Sequence, residues 1–251
     1  MTHPRGDRLE DHVQQIVMLA WSRLLGVSDT ALTAAAATGR RVEAPTEHDD
    51  PDVVLLRLGD VTVLCAPPPI LEAARGVEDE VLALESTLLD LTRPWSPRSE
   101  GEHVLFHLDD PPSVDPSSAV AVSHDRAHVH EVETSCPADD VLAAGLGDAD
   151  AILALVPDDG AGHATGIALA AAGHRVSAGM LAQMRMLTRA DLRGRGLGAY
   201  AAAVAVQQAY EEGLVPQASV PQADDAAQRL ALGLGFVRTG SVTRVRLTLD
   251  G

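Results

Sequence analysis

The chain has 251 residues, of which 36 are acidic and 19 basic, and its formal net charge at pH 7 is −17. A chain of this length can bury a substantial core without help from metals or disulfides. The acidic balance argues against generic binding to nucleic acids or anionic membranes, and it favours a cationic or amine-bearing small substrate. Every basic residue is an arginine, which excludes a Schiff-base lysine or a P-loop lysine.

The two cysteines predict no metal site and no redox motif. Cys65 and Cys136 lie far apart and belong to no CxxC or Cys/His zinc pattern, so we expect free thiols in a reducing compartment. The sequence has no charged-then-apolar leader at Met1 and no apolar run close to the ~18 residues of a membrane span. We therefore expect a soluble, cytoplasmic protein.

The first half predicts an amphipathic helix, a β-hairpin, a second helix and a strand. The helix is "RLEDHVQQIVMLAWSRLLG", which ends at Gly26, and the hairpin consists of "VVLLRL" and "VTVLCA" around Gly59-Asp60. The second helix is "VEDEVLALESTLLDL", and "HVLFHL" is the strand. The proline-rich, acidic stretch "DDPPSVDPSS" is the best linker candidate, so we predict an α/β accessory domain over 1–114 and a second domain over 115–251.

The second half predicts a mixed α/β arrangement around one glycine-rich turn. Three strand candidates, "AILALVP", "IALAAAGHRV" and "MLAQMRMLT", precede the turn. A long helix, "LGAYAAAVAVQQAYEEG", follows it, and then come the strand "LVPQASV", the helix "DDAAQRLALGLGF" and the strand "SVTRVRLTL". The predicted order is strand, glycine turn, helix, strand, helix, strand.

The turn "LRGRGLG" between a strand and a helix is a candidate anion site, because it exposes backbone N–H groups at the positive end of a helix. Its glycines are spaced G-x-G-x-G rather than G-x-G-x-x-G, which disfavours a dinucleotide. The alternative for an isolated glycine cluster is a turn that has a structural role and binds no ligand. A phosphate ligand other than a dinucleotide is favoured because a second motif follows downstream.

The stretch Arg193-Gly194-Arg195-Gly196-Leu197-Gly198 matches R-x-x-G-x-G, and "DDAAQRLALGLGF" follows one helix and one strand later. In this order the two motifs resemble the GNAT-type N-acetyltransferase superfamily over roughly residues 119–249. The resemblance implies a GNAT-like α+β fold, in which helices flank a central mixed, mostly antiparallel sheet. It also implies acetyl-CoA as co-substrate and no metal.

The resemblance also implies positions for the cofactor. The backbone of Met186, Leu187 and Thr188 would contact the acyl carbonyl and the pantetheine amides. The N–H groups of 193–198 would hold the pyrophosphate. Asp224 stands where the family usually has asparagine, and Ala227 lies near the expected pantetheine path.

The sequence departs from the family pattern at the acid and at the base. Many members have a tyrosine that reprotonates the departing thiolate, and the corresponding residue here is Ala231. The strand before the turn lacks the glutamate that some relatives use as a base. The candidate bases are His174, which we place in a turn, Glu133 and its acidic neighbours Glu131, Asp139 and Asp140.

The alternation His128-Val129-His130, with His124 upstream, could place two imidazoles on one face of a strand. No further ligand follows at a suitable spacing, so a solvated surface is the favoured interpretation.

The sequence thus supports two functional hypotheses. The first is an enzyme that transfers an acetyl group from acetyl-CoA to a small-molecule amine or a peptide amine by direct attack in a ternary complex. The second is a non-catalytic acyl-CoA-binding module that has kept the phosphate site. The first half would be an accessory domain, and one version of this hypothesis makes it a degenerate relative of the second half. We expect the protein to be a monomer or a homodimer.

Overall fold

The computed structural model describes residues 8–46, 52–115, 119–158 and 166–248. Its residues form two compact units, each assembled from separate segments of the chain. The first unit contains residues 8–106, 219–229 and 237–248, and the second contains residues 107–218 and 230–236. Because both units are discontinuous in sequence, the two-domain division at residue 114 stays a prediction. The predicted linker falls partly on residues 116–118, which lie outside the described ranges.

The first unit is built from short helices and a run of strands. Its elements are α1 (Asp11–Leu24), α2 (Ala31–Thr38), β1 (Val42–Pro45), β2 (Val53–Leu58), β3 (Val61–Ala66), α3 (Pro68–Ala73), α4 (Asp79–Leu82), α5 (Glu85–Thr92), β4 (Arg98–His107) and the C-terminal β10 (Val237–Arg246). The strand order is β1-β3-β2-β10-β4. β1 and β3 are parallel, whereas β2 pairs antiparallel with both β3 and β10.

Several predictions for the first unit are confirmed. α1 ends before Gly26, which has a φ of +67°, and the β2–β3 hairpin turns at Gly59, which has a φ of +55°. The second predicted helix is instead two helices, α4 and α5, because the chain is extended at Leu84 (φ −75°, ψ 121°). The core beneath these helices contains apolar side chains from β2, β3, α3, α5 and β10.

The second unit carries the glycine turn. Its elements are β5 (Val120–Ser123), α6 (Arg126–Thr134), α7 (Ala138–Ala144), β6 (Ala151–Pro157), β7 (Ala170–Ser177), β8 (Leu181–Thr188), α8 (Leu197–Glu211) and β9 (Val215–Pro221), whose last three residues belong to the first unit. α9 (Asp225–Gly233) is likewise divided between the two units. The strand order is β9-β8-β7-β6-β5, antiparallel throughout except for the parallel β8–β9 pair. The predicted mixed, mostly antiparallel sheet with flanking helices is confirmed.

Helices of the second unit pack on the two faces of its sheet. α8 packs through Ala201 and Ala205 on Leu153, Leu155 and the alanines of β7. α6 packs through Val129 and Val132 on the opposite face. Small residues on both α8 and β7 allow helix and strand to approach closely.

One element type in the second unit is predicted wrongly. The segment with the alternating histidines is the helix α6, whose first turn is capped by Asp125: its side chain accepts a hydrogen bond from the N–H of Ala127 at 2.9 Å. Val129 and Val132 are three residues apart and share the buried face, which is helical spacing. No helix in the described ranges is long and apolar enough to cross a bilayer.

Candidate active site

The glycine turn joins β8 to α8, as predicted. Gly194 and Gly196 have φ angles of +75° and +81°, and Gly196 is the N-cap residue of α8. No other atom lies within 4 Å of the point where a Cβ of either glycine would be. The two positions therefore need glycine for their backbone conformation, and the space beside them is open.

The N-terminus of α8 presents unpaired backbone donors. The first intrahelical bond to the cap runs from the N–H of Tyr200 to the carbonyl of Gly196 at 3.0 Å, so the N–H groups of residues 197–199 precede the hydrogen-bonded ladder. The cap makes no side-chain hydrogen bond, and the first turn contains no acidic residue. With the helix dipole, these N–H groups form a site for an oxyanion.

Gly198 allows α8 to start directly against β8. A Cβ on Gly198 would lie 2.6 Å from the Oγ1 of Thr188 and 3.2 Å from the Sδ of Met186. A side chain at this position would require the side chains of Thr188 and Met186, or the helix itself, to move. The third glycine of the motif therefore brings the helix N-terminus to the edge of β8, whereas the first two give the turn its shape.

The arginines around the turn differ in their partners. Arg189 forms a bidentate pair with Asp191 at 3.1 and 3.0 Å, which lowers the pKa of that carboxyl group. Arg193 donates to the Oδ2 of Asp140 on α7 at 2.6 Å, which raises its own pKa, and its Nε donates to the carbonyl of Thr188 at 3.3 Å. Arg195 is exposed and forms no salt bridge within the described residues, so its charge is the one left for an anion.

Next to this turn, β8 loses its pairing with β9. The β8–β9 ladder has three residue pairs and ends at Gln183–Gln217, whereas β8 continues to Thr188. Backbone directions alternate along a strand, and the N–H of Arg189 bonds to Leu169 on the β7 side. Met184 and Met186 therefore direct their N–H and C=O groups to the edge where the ladder has ended.

The three backbone positions implied by the resemblance are not equivalent. The backbone N–H and C=O of Met186 point to the edge of β8 where the pairing with β9 has ended. Leu187 instead pairs with Ala171 of β7 and has its side chain in the core. The carbonyl of Thr188 accepts from Arg193 and, at 3.4 Å, from the Sγ of Cys136. Met186 thus has the clearest capacity to bind an acyl oxygen.

His174 is not in a turn. It is a residue of β7, paired with Met184, and its side chain is 1% exposed. Its Nε2 lies 3.0 Å from the Oε2 of Glu212, which follows the last residue of α8, and its Nδ1 is buried without a partner. α8 is about 22 Å long, so His174 lies at the opposite end of the helix from Gly196. The real turn comes later, at Ala178 and Gly179, both with positive φ.

Glu133 lies nearer to the end of β8. It is on α6, one turn before Cys136, whose thiol contacts the carbonyl of Thr188. Its side chain is 21% exposed, and its carboxylate is 3.6 Å from the Nδ1 of the exposed His130. The neighbouring Glu131 instead accepts the N–H of Ala168 at 3.0 Å, a structural contact. Both the His174 and the Glu133 assignments stay predictions.

The remaining predicted residues are placed as follows. Asp224 belongs to the first unit and accepts the N–H of Ala227 at 2.9 Å, so it caps the start of α9. Ala231 is 5% exposed. His124 contacts the carbonyl of Ile152 and His128 the hydroxyl of Ser123, and within the described ranges no three His, Cys, Asp or Glu side chains form a group suited to a metal.

Sequence inspection missed a buried polar chain in the second unit. The Nε2 of His107 lies 2.6 Å from the Oε1 of Gln217, whose Nε2 donates to the Oε1 of Gln183 at 2.5 Å. His107 is fully buried, and burial lowers its pKa to about 4. The chain reaches β8 at the last pair of the β8–β9 ladder. Its members are up to 110 residues apart, so no local pattern indicates it.

The comparisons with known proteins concern the fold. No protein-family model matches the chain, and no curated protein matches it. Among solved structures, a candidate GNAT-family acetyltransferase from Novosphingobium aromaticivorans is 20% identical over 61% of this chain and 68% of its own, with a TM-score of 0.46. A GCN5-related N-acetyltransferase-like protein from Streptococcus suis is 16% identical over 94% of this chain and 99% of its own, with a TM-score of 0.48.

A candidate acetyltransferase from Salmonella typhimurium, solved with acetyl-CoA, is 16% identical over 53% of this chain and 95% of its own, with a TM-score of 0.34. Likenesses at these identities and scores carry no functional argument. Further similar structures include GCN5-related N-acetyltransferases from Kribbella flavida and Sphaerobacter thermophilus.

Proposed function

We propose that the chain is an N-acyltransferase that moves an acetyl group from acetyl-CoA to an amine acceptor by direct attack in a ternary complex. The observation that carries the proposal is the start of α8 beside β8. There, unpaired N–H groups at a helix N-terminus lie next to a strand edge whose ladder has ended. A long ligand with a diphosphate at one end and amides at the other fits both features.

The residues at the turn fit a diphosphate. Open space beside Gly194 and Gly196 admits the phosphate oxygens, the N–H groups of 197–199 donate to them, and Arg195 adds an exposed positive charge. The salt bridge between Arg193 and Asp140 holds the turn in place rather than supplying free charge. Such a site is selective for the oxyanions of the ligand and does not depend on its acyl group.

In the proposed reaction, a neutral amine attacks the thioester carbonyl carbon while the N–H of Met186 holds the carbonyl oxygen. The C–N bond forms, the C–S bond breaks, and the electron pair leaves with the sulfur. The proton lost by the amine passes to Glu133 or to solvent, and the thiolate is protonated from solvent. Positioning and oxyanion stabilisation account for most of the rate enhancement, because bound thioesters are reactive electrophiles.

A second candidate is a non-catalytic acyl-CoA-binding module. Ala231, buried where the resembling family has a tyrosine acid, favours it. The only two tyrosines of the chain, Tyr200 and Tyr210, are both on α8. Tyr200 packs against the core of the second unit, and Tyr210 is exposed near the C-terminal end of the helix. The module would keep the phosphate site and lack acceptor-dependent turnover.

Two measurements separate these functions. Acetyl-CoA at ~100 times its Kd should stabilise the fold by about 2.7 kcal/mol and raise Tm by several degrees. CoA release should then be followed with polyamines, aminoglycosides, amino acids and peptides with free N-termini. Release that depends on an amine supports the enzyme, and binding without such release with any amine supports the module. The absence of any Tm shift would contradict both.

A further inference from the structure

Arg185 lies on β8 immediately before Met186, but on the other face of the sheet. It pairs with Gly173 of β7, and its guanidinium is next to Gly145, the residue that ends α7. Met186 and Thr188, by contrast, approach Gly198 of α8. If acetyl-CoA is bound at the start of α8, a second substrate has the opposite face of β8 as its approach, and Arg185 lies there.

The guanidinium of Arg185 has no protein partner. Within the described residues it makes no salt bridge or hydrogen bond, and its Nε is buried without an acceptor. Burial is the main reason why its pKa is lowered, and repulsion from Arg175 adds to the effect. Asp148 acts in the opposite direction from a distance, without forming an ion pair.

This arrangement is costly for a purely structural arginine. The side chain of Arg185 is half-buried, but its Nε is buried without an acceptor. A buried polar atom without a hydrogen bond destabilises a fold, and structural arginines usually find a carboxylate or a helix C-terminal carbonyl. The end of α7 is close enough, because a Cβ on Gly145 would be 3.6 Å from both Cζ and Nη1 of Arg185. No carbonyl of α7 accepts a hydrogen bond from it. The free donors of Arg185 therefore suit an oxyanion that arrives from outside.

Arg175 adds to the positive charge. It pairs with Gln183, two residues from Arg185 on β8, so the two arginines lie on the same face as diagonal neighbours. The overall charge of −17 makes an unneutralised pair of cations unusual in this chain. A polyamine would be repelled here, whereas a carboxylate can accept two parallel hydrogen bonds from one guanidinium.

We propose that Arg185 binds the carboxylate of the amine acceptor, so that the acceptor is a small molecule carrying both an amine and a carboxylate, as free amino acids do. This inference rests on the proposed function, because it assumes that the acceptor reaches the thioester at Met186. It narrows the acceptor class from amines in general to anionic or zwitterionic amines. Arg185 is then a specificity-determining residue with no role in the bond changes themselves.

The test uses binding as well as turnover, so that it does not depend on catalysis. N-acetyl amino acids with small, acidic, aromatic and basic side chains, each paired with its carboxamide, are titrated by calorimetry into the full chain saturated with CoA. Since hydrogen bonds to a charged group contribute about 1.5–3 kcal/mol, we expect at least one carboxylate to bind about 10- to 100-fold more tightly than its amide. Arg185→Gln should abolish that preference, and Arg185→Lys should restore part of it.

The control is Arg126→Gln, which removes an exposed arginine from the start of α6 and should leave the preference intact. Arg185→Met shows whether the arginine is structural, because replacement of a half-buried arginine whose Nε has no acceptor should maintain or raise Tm. The proposal is overturned if amides bind as well as carboxylates, if neither binds, or if Arg185→Gln keeps the preference. Amine-dependent CoA release, assayed in parallel, reports on the acyltransferase itself.

Discussion

Two sets of polar groups in the second unit are treated in opposite ways by the fold. At the start of α8, backbone N–H groups and the side chain of Arg195 lie beside open space and have no partner among the described residues. In the chain His107–Gln217–Gln183, the buried side chains of His107 and Gln217 instead have hydrogen-bond partners at 2.5–2.6 Å. The first set can exchange water for a ligand, whereas the second is already satisfied by the protein.

This difference separates residues that should affect ligand binding from residues that should affect stability. Unsatisfied groups beside open space cost little while water reaches them, and they gain interactions when a ligand binds. Satisfied buried groups contribute to the free energy of unfolding and have nothing left to offer a ligand. Substitutions in the two sets should therefore have separable effects.

The largest expected effect is that of Gly196→Glu. It introduces a carboxylate at the positive end of α8 and a side chain into the space for the diphosphate. We expect the Kd for acetyl-CoA to rise at least about 100-fold. The diphosphate would lose two hydrogen bonds to its charged oxygens, and the new carboxylate would repel it. The measurement is the Tm shift on adding acetyl-CoA.

Gly213→Glu is the matched control at the other end of α8. Gly213 has a φ of +77° and open surroundings, so the backbone strain is the same, at roughly 1–2 kcal/mol for a non-glycine residue in this region. Without ligand, Gly213→Glu should lose more stability than Gly196→Glu, because its carboxylate lies at the negative end of α8. If Gly213→Glu also abolished the acetyl-CoA shift, the loss would come from strain rather than from the phosphate site.

The next effect is on the chemical step. Glu133→Gln should lower kcat/KM about 100-fold, because general bases contribute about 10²–10⁴-fold. Steady-state CoA release between pH 5 and 9 provides the measurement. Asp139→Asn, on the exposed start of α7, is the charge-matched control and should leave kcat/KM unchanged.

His174→Asn tests the other predicted base. The imidazole is buried against Glu212, so its replacement should lower Tm, by an amount corresponding to about 1–3 kcal/mol for a broken buried hydrogen bond. The pH profile of kcat/KM in the surviving folded protein should match that of the parent. A loss of about 100-fold in kcat/KM in His174→Asn but not in Glu133→Gln would reverse the two assignments.

The features of the second unit that the sequence predicts are those formed by residues close together along the chain. The glycine turn was predictable because strand, turn and helix are consecutive in the chain. Gly194 and Gly196 allow positive φ angles, and Gly198 allows a close approach to the preceding strand. α6 was not predicted because the three residues His128-Val129-His130 are too few to distinguish a strand from a helix. The features that identify the helix are the Asp125 cap and the three-residue spacing of the buried Val129 and Val132. His174 was misplaced because Gly173 suggested a turn.

Interactions between distant segments could not be predicted in this way. The hydrogen bond from His107 to Gln217 joins residues 110 positions apart, and the lack of a partner for Arg185 depends on the whole surrounding fold. The end of the β8–β9 ladder could not be predicted either, since strand pairing is not a local property. Local chemistry thus indicated the proposed phosphate site, and tertiary packing determines which polar groups remain available around it.

A smaller effect is the pH dependence of stability due to His107. Its pKa is about 4 in the fold, against about 6.5 in the unfolded chain, so the unfolded state binds the proton first as pH falls. The stabilisation is complete above pH 6.5 and decreases down to pH 4, by up to about 3 kcal/mol for this residue. His107→Gln should flatten this part of the curve in urea titrations. His130→Gln, which replaces a largely exposed histidine, should not.

The smallest effect is expected for Arg195→Gln. The side chain is exposed, and an exposed ionic contact contributes about 0.2–1 kcal/mol, so the Kd for acetyl-CoA should rise about two- to fivefold. The difference should vanish near 1 M salt, where the screening length falls to about 3 Å. Arg126→Gln should change neither Kd nor its salt dependence. An effect of Arg195→Gln that persisted at high salt would mean that the guanidinium is desolvated in the complex and contributes as a charged hydrogen-bond donor, which would move it from the rim to the centre of the phosphate site.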